Sequence, residues 1–299
     1  MNITLTGASG FIGNALIARL KADGHQLYLL GRNPPKDSSL KFAKWDAMGE
    51  ALPVADAIAG ADAIIHLAGE PVAQRWSDDI KRRIRDSRVN GTRKLVDAIA
   101  ATPGDRRPKI LVSGSAIGFY GNRGDELVNE TSKPGKGFLP DVCVAWETAA
   151  QSAADLGLRV SYVRTGIVLG RDGGALAQML PIFRMGAGGR VGNGHQWMSW
   201  IHLDDLVGLF VLALENDTIK GPLNGTSPNP VTNADFTHTL GTVLHRPAAM
   251  AVPEFGLKLL YGEMAQLLIE GQRVLPEGAL KAGYQFRFPE LRVALATVV

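Results

Sequence analysis

The run Ile3-Thr4-Leu5-Thr6-Gly7-Ala8-Ser9-Gly10-Phe11-Ile12-Gly13 leads from a short apolar strand through three glycines straight into a helical pattern. Gly7 allows a tight turn, Gly10 lets the backbone approach a pyrophosphate, and Gly13 lets the new helix pack close to the strand. The helix starts with free N–H groups and the positive end of its dipole facing any phosphate placed there. Glycines also mark ordinary loops. Here a strand precedes them and a helix follows, so the run reads as a dinucleotide site built from Gly7, Ser9, Gly10, Phe11, Ile12 and Gly13.

Outward from that run, Ile12, Leu16, Ile17 and Leu20 keep a helical spacing as far as the terminator Gly24. Gln26 to Leu30 is a second strand, ending at Gly31-Arg32-Asn33. An acid there would accept from a free ribose hydroxyl, whereas an arginine pairs with a 2′-phosphate. Gly31 and Arg32 therefore point to NADP(H) over NAD(H), the alternative being a plain loop arginine. Phe42 to Trp45 forms a third strand, after which Asp46 can accept from the adenine amino group. A short helix near Val54–Ala59 precedes a fourth strand, Asp62 to Leu67, which opens into Leu67-Ala68-Gly69-Glu70. The small residues let the backbone lie against the cofactor ribose; Glu70 faces the same cleft or is simply a loop carboxylate. Ser77 caps a helix running to about Ala101, Lys109 to Val112 is the fifth strand, and Asp141 caps the next helix. Val160 to Val163 is the sixth strand. Strands alternating with helices predict an α/β fold, a doubly wound parallel sheet (Rossmann), with a smaller C-terminal α/β lobe.

After Arg164 the rhythm changes to glycine-rich turns, a short strand at Trp200–Leu203, and a helix capped by Asp204 or Asp205. Helices follow near 233–244, 254–270 and 289–297. Residues 1–165, completed by about 200–225, are expected to hold the dinucleotide. Residues 226–299, with about 166–199, are expected to form the substrate-side lobe. Ligands of open α/β sheets bind beyond the strand C-termini, which places Trp197, Trp200 and His202 beside the substrate, or else in lobe packing. Arg164 and Arg190 can meet an anionic substrate, and Arg83, Arg88 and Arg164 the cofactor; each is more often an ordinary surface arginine than a ligand.

The net charge of +3 over 299 residues and the absence of a long basic block leave nucleic-acid binding with little support beyond the locally basic helix at 81–94. A single cysteine, Cys143, excludes an internal disulfide framework and fits a reducing compartment. No apolar run approaches the roughly 20 residues that span a bilayer, and the N-terminus reads as a core strand, not a signal peptide. A cytoplasmic protein without metal or membrane partner is expected.

Taken together, Thr6–Gly13, His66-Leu67-Ala68-Gly69, Asn90-Gly91-Thr92, Ser113-Gly114-Ser115 with Tyr120-Gly121, and Trp200-Ile201-His202-Leu203-Asp204-Asp205 resemble the extended short-chain dehydrogenase/reductase family, which includes nucleotide-sugar epimerases. Leu223–Pro228, Leu268–Val274 and Gly283–Phe286 resemble its "epimerase family protein" branch with its own C-terminal domain. The resemblance implies an NADP(H)-dependent oxidoreductase or epimerase-like enzyme acting on a small molecule, with a homodimer possible. It also implies a serine that orients substrate, a tyrosine that transfers a proton, and a lysine four residues later that lowers the tyrosine's pKa. Ser115 fills the serine position and Ser113 falls among the cofactor-binding residues, but the helix after Asp141 has Cys143 and Glu147 where tyrosine and lysine belong. A glutamate raises a neighbouring acid's pKa instead of lowering it. Either another group moves the proton (Tyr120, Glu147, Cys143 or His202), or the substrate needs none, or the protein is a non-catalytic NADP(H)-binding regulator.

Overall fold

The computed structural model describes all 299 residues. Seven parallel strands form one sheet: β1 (Asn2–Thr6), β2 (Gln26–Gly31), β3 (Lys41–Lys44), β4 (Ala63–His66), β5 (Ile110–Ala116), β6 (Arg159–Thr165) and β7 (Gly221–Gly225). Their spatial order is β7-β6-β5-β4-β1-β2-β3. The direction of winding reverses between β1 and β4, and a crevice opens there at the carboxyl ends of the strands.

The strands bury both faces, as their period-2 side chains require. Ile3, Leu5, Ala63, Ile65, Ile110 and Val112 point into one core, shared with Leu16 and Leu20 of α1 (Phe11–Ala22). Ile64, Leu111 and Val160 point into the other, with Leu95 and Ile99 of α2 (Asp78–Ala101) and Ala150 of α3 (Phe138–Gln151). A third cluster joins α4 (Gly174–Arg184), α5 (Leu203–Glu215)-flanking Trp200, α6 (Asn233–Leu244) and α7 (Leu291–Val298) through Leu180, Phe236, Leu240 and Leu295. No helix is long and apolar enough to cross a membrane.

Local signals place three boundaries differently from the sequence reading. α3 starts at Phe138 behind Gly137, so Asp141 sits in the first turn instead of capping it. The cap of α5 is His202, whose Nδ1 accepts from the Asp204 amide at 3.1 Å. Asp205 is instead fully buried and accepts from the Arg287 and Phe288 amides at 2.8 and 2.9 Å, anchoring the C-terminal segment. The single helix expected over 254–270 is broken at Gly262 into Glu254–Tyr261 and Gln266–Ile269, joined by a 3-10 turn.

The crevice walls are tied by a buried histidine. Thr6 Oγ1 accepts from the Leu67 and Ala68 amides at 3.1 and 3.2 Å. Its own proton is thereby directed to His66 Nδ1, 2.7 Å away, and the imidazole donates from Nε2 to Thr92 Oγ1 at 3.0 Å. A second ring proton has no place in this arrangement, and burial lowers the His66 pKa to about 4. The unfolded chain binds that proton near pH 6.5, so stability is complete above pH 6.5 and falls as pH drops toward 4. The loss is about 3 kcal/mol at 1.36 kcal/mol per pH unit. Urea unfolding across that range should show it, and His66→Gln should flatten the slope; an unchanged slope refutes the assignment.

Candidate active site

Gly7 leaves β1 with φ +70°, and a Cβ there would lie 2.6 Å from the Leu67 carbonyl carbon across the crevice. At Gly13 a Cβ would stand 2.4 Å from the Gly7 oxygen, so α1 can approach β1 only through a glycine. Gly10 differs. Its backbone is extended (φ −76°, ψ 169°), and its Cβ would meet only the Gly7 oxygen, at 3.3 Å. No side chain caps α1 and its first turn holds no acid, so its leading amides keep the positive end of the helix dipole unneutralised. Ser9 and Gly10 are exposed, and Ile12 is half-buried beside them. The Phe11 ring is packed under Gly170, Gly173 and Gly174, leaving that residue only its backbone to offer a ligand.

Gly31 ends β2 and Arg32 is exposed without a carboxylate partner; Asp46 is exposed and accepts from the Met48 amide at 3.0 Å. On the opposite wall, Leu67 and Ala68 are half-buried and Gly69 is exposed. Arg88 lies beneath Gly69, donates to the Glu70 and Ile84 carbonyls at 2.9 and 3.1 Å, and stacks on Trp146. Arg83 pairs with the Glu70 carboxylate at 3.1 Å. Arg88, expected at the phosphates, is instead spent on the loop carbonyls, while Arg83 and Glu70 hold each other at the loop.

Deeper in the crevice, Cys143 and Glu147 occupy one face of α3, both buried. The Glu147 carboxylate receives Arg164 on both oxygens, Nε to Oε1 and Nη2 to Oε2, each at 2.8 Å. Ser115 Oγ donates to the same Oε1 at 2.6 Å. Arg164 Nη1 donates to the Tyr120 hydroxyl at 3.0 Å, which donates in turn to Asn224 Oδ1 at 2.7 Å. Asn224 continues to the Leu275 carbonyl, and the Arg164 guanidinium lies 3.5 Å from the centre of the Phe119 ring. Burial opposes the charge of Arg164, yet the hydrogen bonds and charge of Glu147 more than reverse this and raise its pKa.

In this structure the sequence candidates for proton transfer already have partners. Tyr120 is fully covered, and burial, only partly countered by Arg164, pushes its hydroxyl up to about 12. Burial first, and Glu147 second, push the Cys143 thiol to about 12; its Sγ faces the Ala116 carbonyl at 3.7 Å. Ser113 is buried and donates to the Gly114 carbonyl at 3.0 Å. Arg164, read as a ligand for cofactor or substrate, is spent on Glu147. Trp200 is fully buried, its Nε1 bonded to the Asn229 carbonyl, which is the lobe-packing alternative, and His202 is engaged by its capping bond and Thr297. Arg190 is exposed and donates to the Asn193 carbonyl. Trp197 alone of that group is half-exposed, with Nε1 on Asp125 at 2.8 Å. No three His, Cys, Asp or Glu side chains converge as metal ligands.

The sequence pattern of the NAD dependent epimerase/dehydratase family matches residues 3–224. The chain belongs to that family. A domain of unknown function (DUF1731) matches residues 252–298. The epimerase family protein SDR39U1 homolog, chloroplastic, of Arabidopsis thaliana is 43% identical over 302 residues, covering 100% of this chain and 87% of that protein. The crystal structure of human epimerase family protein SDR39U1 (isoform 2) with NADPH superposes with a TM-score of 0.89 at 36% identity, covering 100% of this chain and 99% of that one. MoeE5 in complex with UDP-glucose and NAD superposes with a TM-score of 0.80 at 22% identity, covering 100% of this chain and 97% of that one, a likeness of fold alone.

Within this family member, the pairing of Glu147 with Arg164 escaped the sequence reading, which took the two residues separately. The signal was present: an acid replaces the resembled lysine on α3, and an arginine sits one residue before the end of the strand beneath it. Only the register of helix on strand turns those facts into a contact.

Proposed function

We propose that the chain is an NADP(H)-binding extended short-chain dehydrogenase/reductase-like protein that exchanges a hydride with a small molecule and supplies no side-chain proton donor. The observation that carries this is the pairing of an open diphosphate cradle with a closed network at the proton-transfer position. The cradle fits the cofactor: Gly10 has no conformational need to be glycine, and a Cβ there would occupy the space that a diphosphate fills. Residues 1–165, completed by about 200–225, hold the cofactor; residues 226–299, with about 166–199, cover the substrate side. Bound NADPH supplies hydride chemistry. The chain's part is to orient, through Leu67, Ala68 and Gly69. Substrates that take their proton from solvent, such as activated alkenes or imines, suit this site. The free, buried Cys143 fits a reducing compartment, the cytoplasm among them.

Arg32, exposed at the end of β2, is assigned the 2′-phosphate. Arg32→Ala should weaken NADPH by ~1–3 kcal/mol, the range for a charge-assisted hydrogen bond, and leave NADH nearly unchanged. Equal losses in paired fluorescence titrations would remove the assignment.

A second reading, a non-catalytic NADP(H)-binding regulator, draws on the same closed network, in which every proton-carrying group already has a partner. Single-turnover fluorescence of bound NADPH against a metabolite library separates the two. Consumption that survives Cys143→Ala and Tyr120→Phe supports the hydride-transfer reading. Tight binding with no consumption supports the regulator.

A further inference from the structure

The extended pair Arg273–Val274 runs parallel to Leu127–Val128 across the carboxyl ends of β6 and β7. Ser199 fixes it, donating to the Gln272 carbonyl at 2.7 Å and accepting from the Val274 amide at 2.9 Å, while Asn224 at the end of β7 donates to the Leu275 carbonyl at 2.9 Å. Val274 is fully buried against Tyr120 and Cys143. Its neighbour Arg273 turns the other way, and its guanidinium lies 4.3 Å from the centre of the Trp197 ring.

Arg273 is half-buried, and its Nε–H is covered with no acceptor. The other partly covered arginines, Arg88, Arg107, Arg123, Arg159 and Arg164, all donate to carbonyls or carboxylates. The acid next to Trp197, Asp125, takes the indole N–H instead. A guanidinium whose face rests on an indole keeps its edge free, and that edge is a fork matched to two oxygens of a carboxylate or phosphate.

We propose that Arg273, braced on Trp197 at the rim of the crevice, is the residue that recognises an anionic group, carboxylate or phosphate, on the small-molecule substrate. The inference rests on the reading above that the crevice beyond the strand ends receives substrate. An oxygen pair of the ligand meets the two terminal guanidinium nitrogens, Nη1 and Nη2, which no carbonyl or carboxylate of the chain takes.

The test is isothermal titration of the full chain with inorganic phosphate and with benzoate, each with and without saturating NADPH. At least one anion should bind, and Arg273→Gln should weaken it tenfold or more while NADPH affinity stays within twofold. Arg273→Lys, which keeps charge but not the fork, should recover part of the loss. A loss confined to phosphate assigns a phosphorylated substrate; one confined to benzoate assigns a carboxylate. Wild-type protein that binds neither, or an Arg273→Gln protein that binds both as well as wild type, overturns the proposal. Failure of NADPH to bind would sink the cofactor reading alone, since the cofactor-free titrations still decide the role of Arg273.

Discussion

Glu147→Gln is expected to cost about 3–5 kcal/mol of folding stability, the penalty for removing one partner of a buried ion pair. Glu147 and Arg164 side chains are only 8% and 4% exposed, so solvent cannot take over the role of the missing partner. The amide keeps at most one acceptor for a guanidinium that now uses two, and Ser115 competes for that oxygen. Replacing both members by apolar residues of similar volume, Glu147→Leu with Arg164→Met, should recover most of the loss, because neither charge then needs compensation. Urea unfolding of the two single variants and the double variant closes the cycle. A Glu147→Gln protein as stable as wild type would show that the pair contributes nothing to the fold.

The same network explains why grafting the family's usual residues should fail. Cys143→Tyr with Glu147→Lys would set an ammonium against Arg164 in a site closed to water, where like charges repel strongly. That variant is expected to be less stable than Glu147→Gln, and urea unfolding of the two side by side is the comparison. In this chain the charge at the centre of the crevice belongs to Glu147 on α3 and is held by Arg164 on β6.

What could be read from residues alone divides along physical lines. β1, its glycine turn and α1 were legible because their requirements are local: a positive φ, a close approach, a helix start. The alternation of apolar strands with helices likewise implied the parallel sheet. Residues alone leave Trp200 open between cleft and lobe packing, because composition near a cleft does not say which way a side chain points; the structure buries it. Asp205 looked like a cap because cap signals are local, whereas its partners, the Arg287 and Phe288 amides, lie 82 and 83 residues away. Arg273 gave no signal at all; an arginine becomes informative only when every nearby acceptor is seen to be taken.

Gly10→Val is expected to abolish NADPH binding while leaving the fold intact. Valine suits the extended backbone of Gly10, and its Cβ meets one oxygen at a tight 3.3 Å that a shift of a few tenths of an ångström relieves, so the thermal midpoint should fall far less than for Gly13→Ala. The branched side chain would fill the concavity in front of α1 and deny a diphosphate its backbone donors. Two charge-assisted hydrogen bonds at ~1.5–3 kcal/mol each correspond to a loss of roughly 10²–10⁴ in affinity. Gly13→Ala provides the contrast. Its Cβ would sit 2.4 Å from the Gly7 oxygen and 2.8 Å from that of Ala8, so α1 must move off β1 and stability should fall along with binding. Fluorescence titration with NADPH, run beside thermal unfolding, separates the two substitutions. A Gly10→Val protein with wild-type NADPH affinity would place the diphosphate away from this turn, and Arg32 would then lose its geometric claim on the 2′-phosphate.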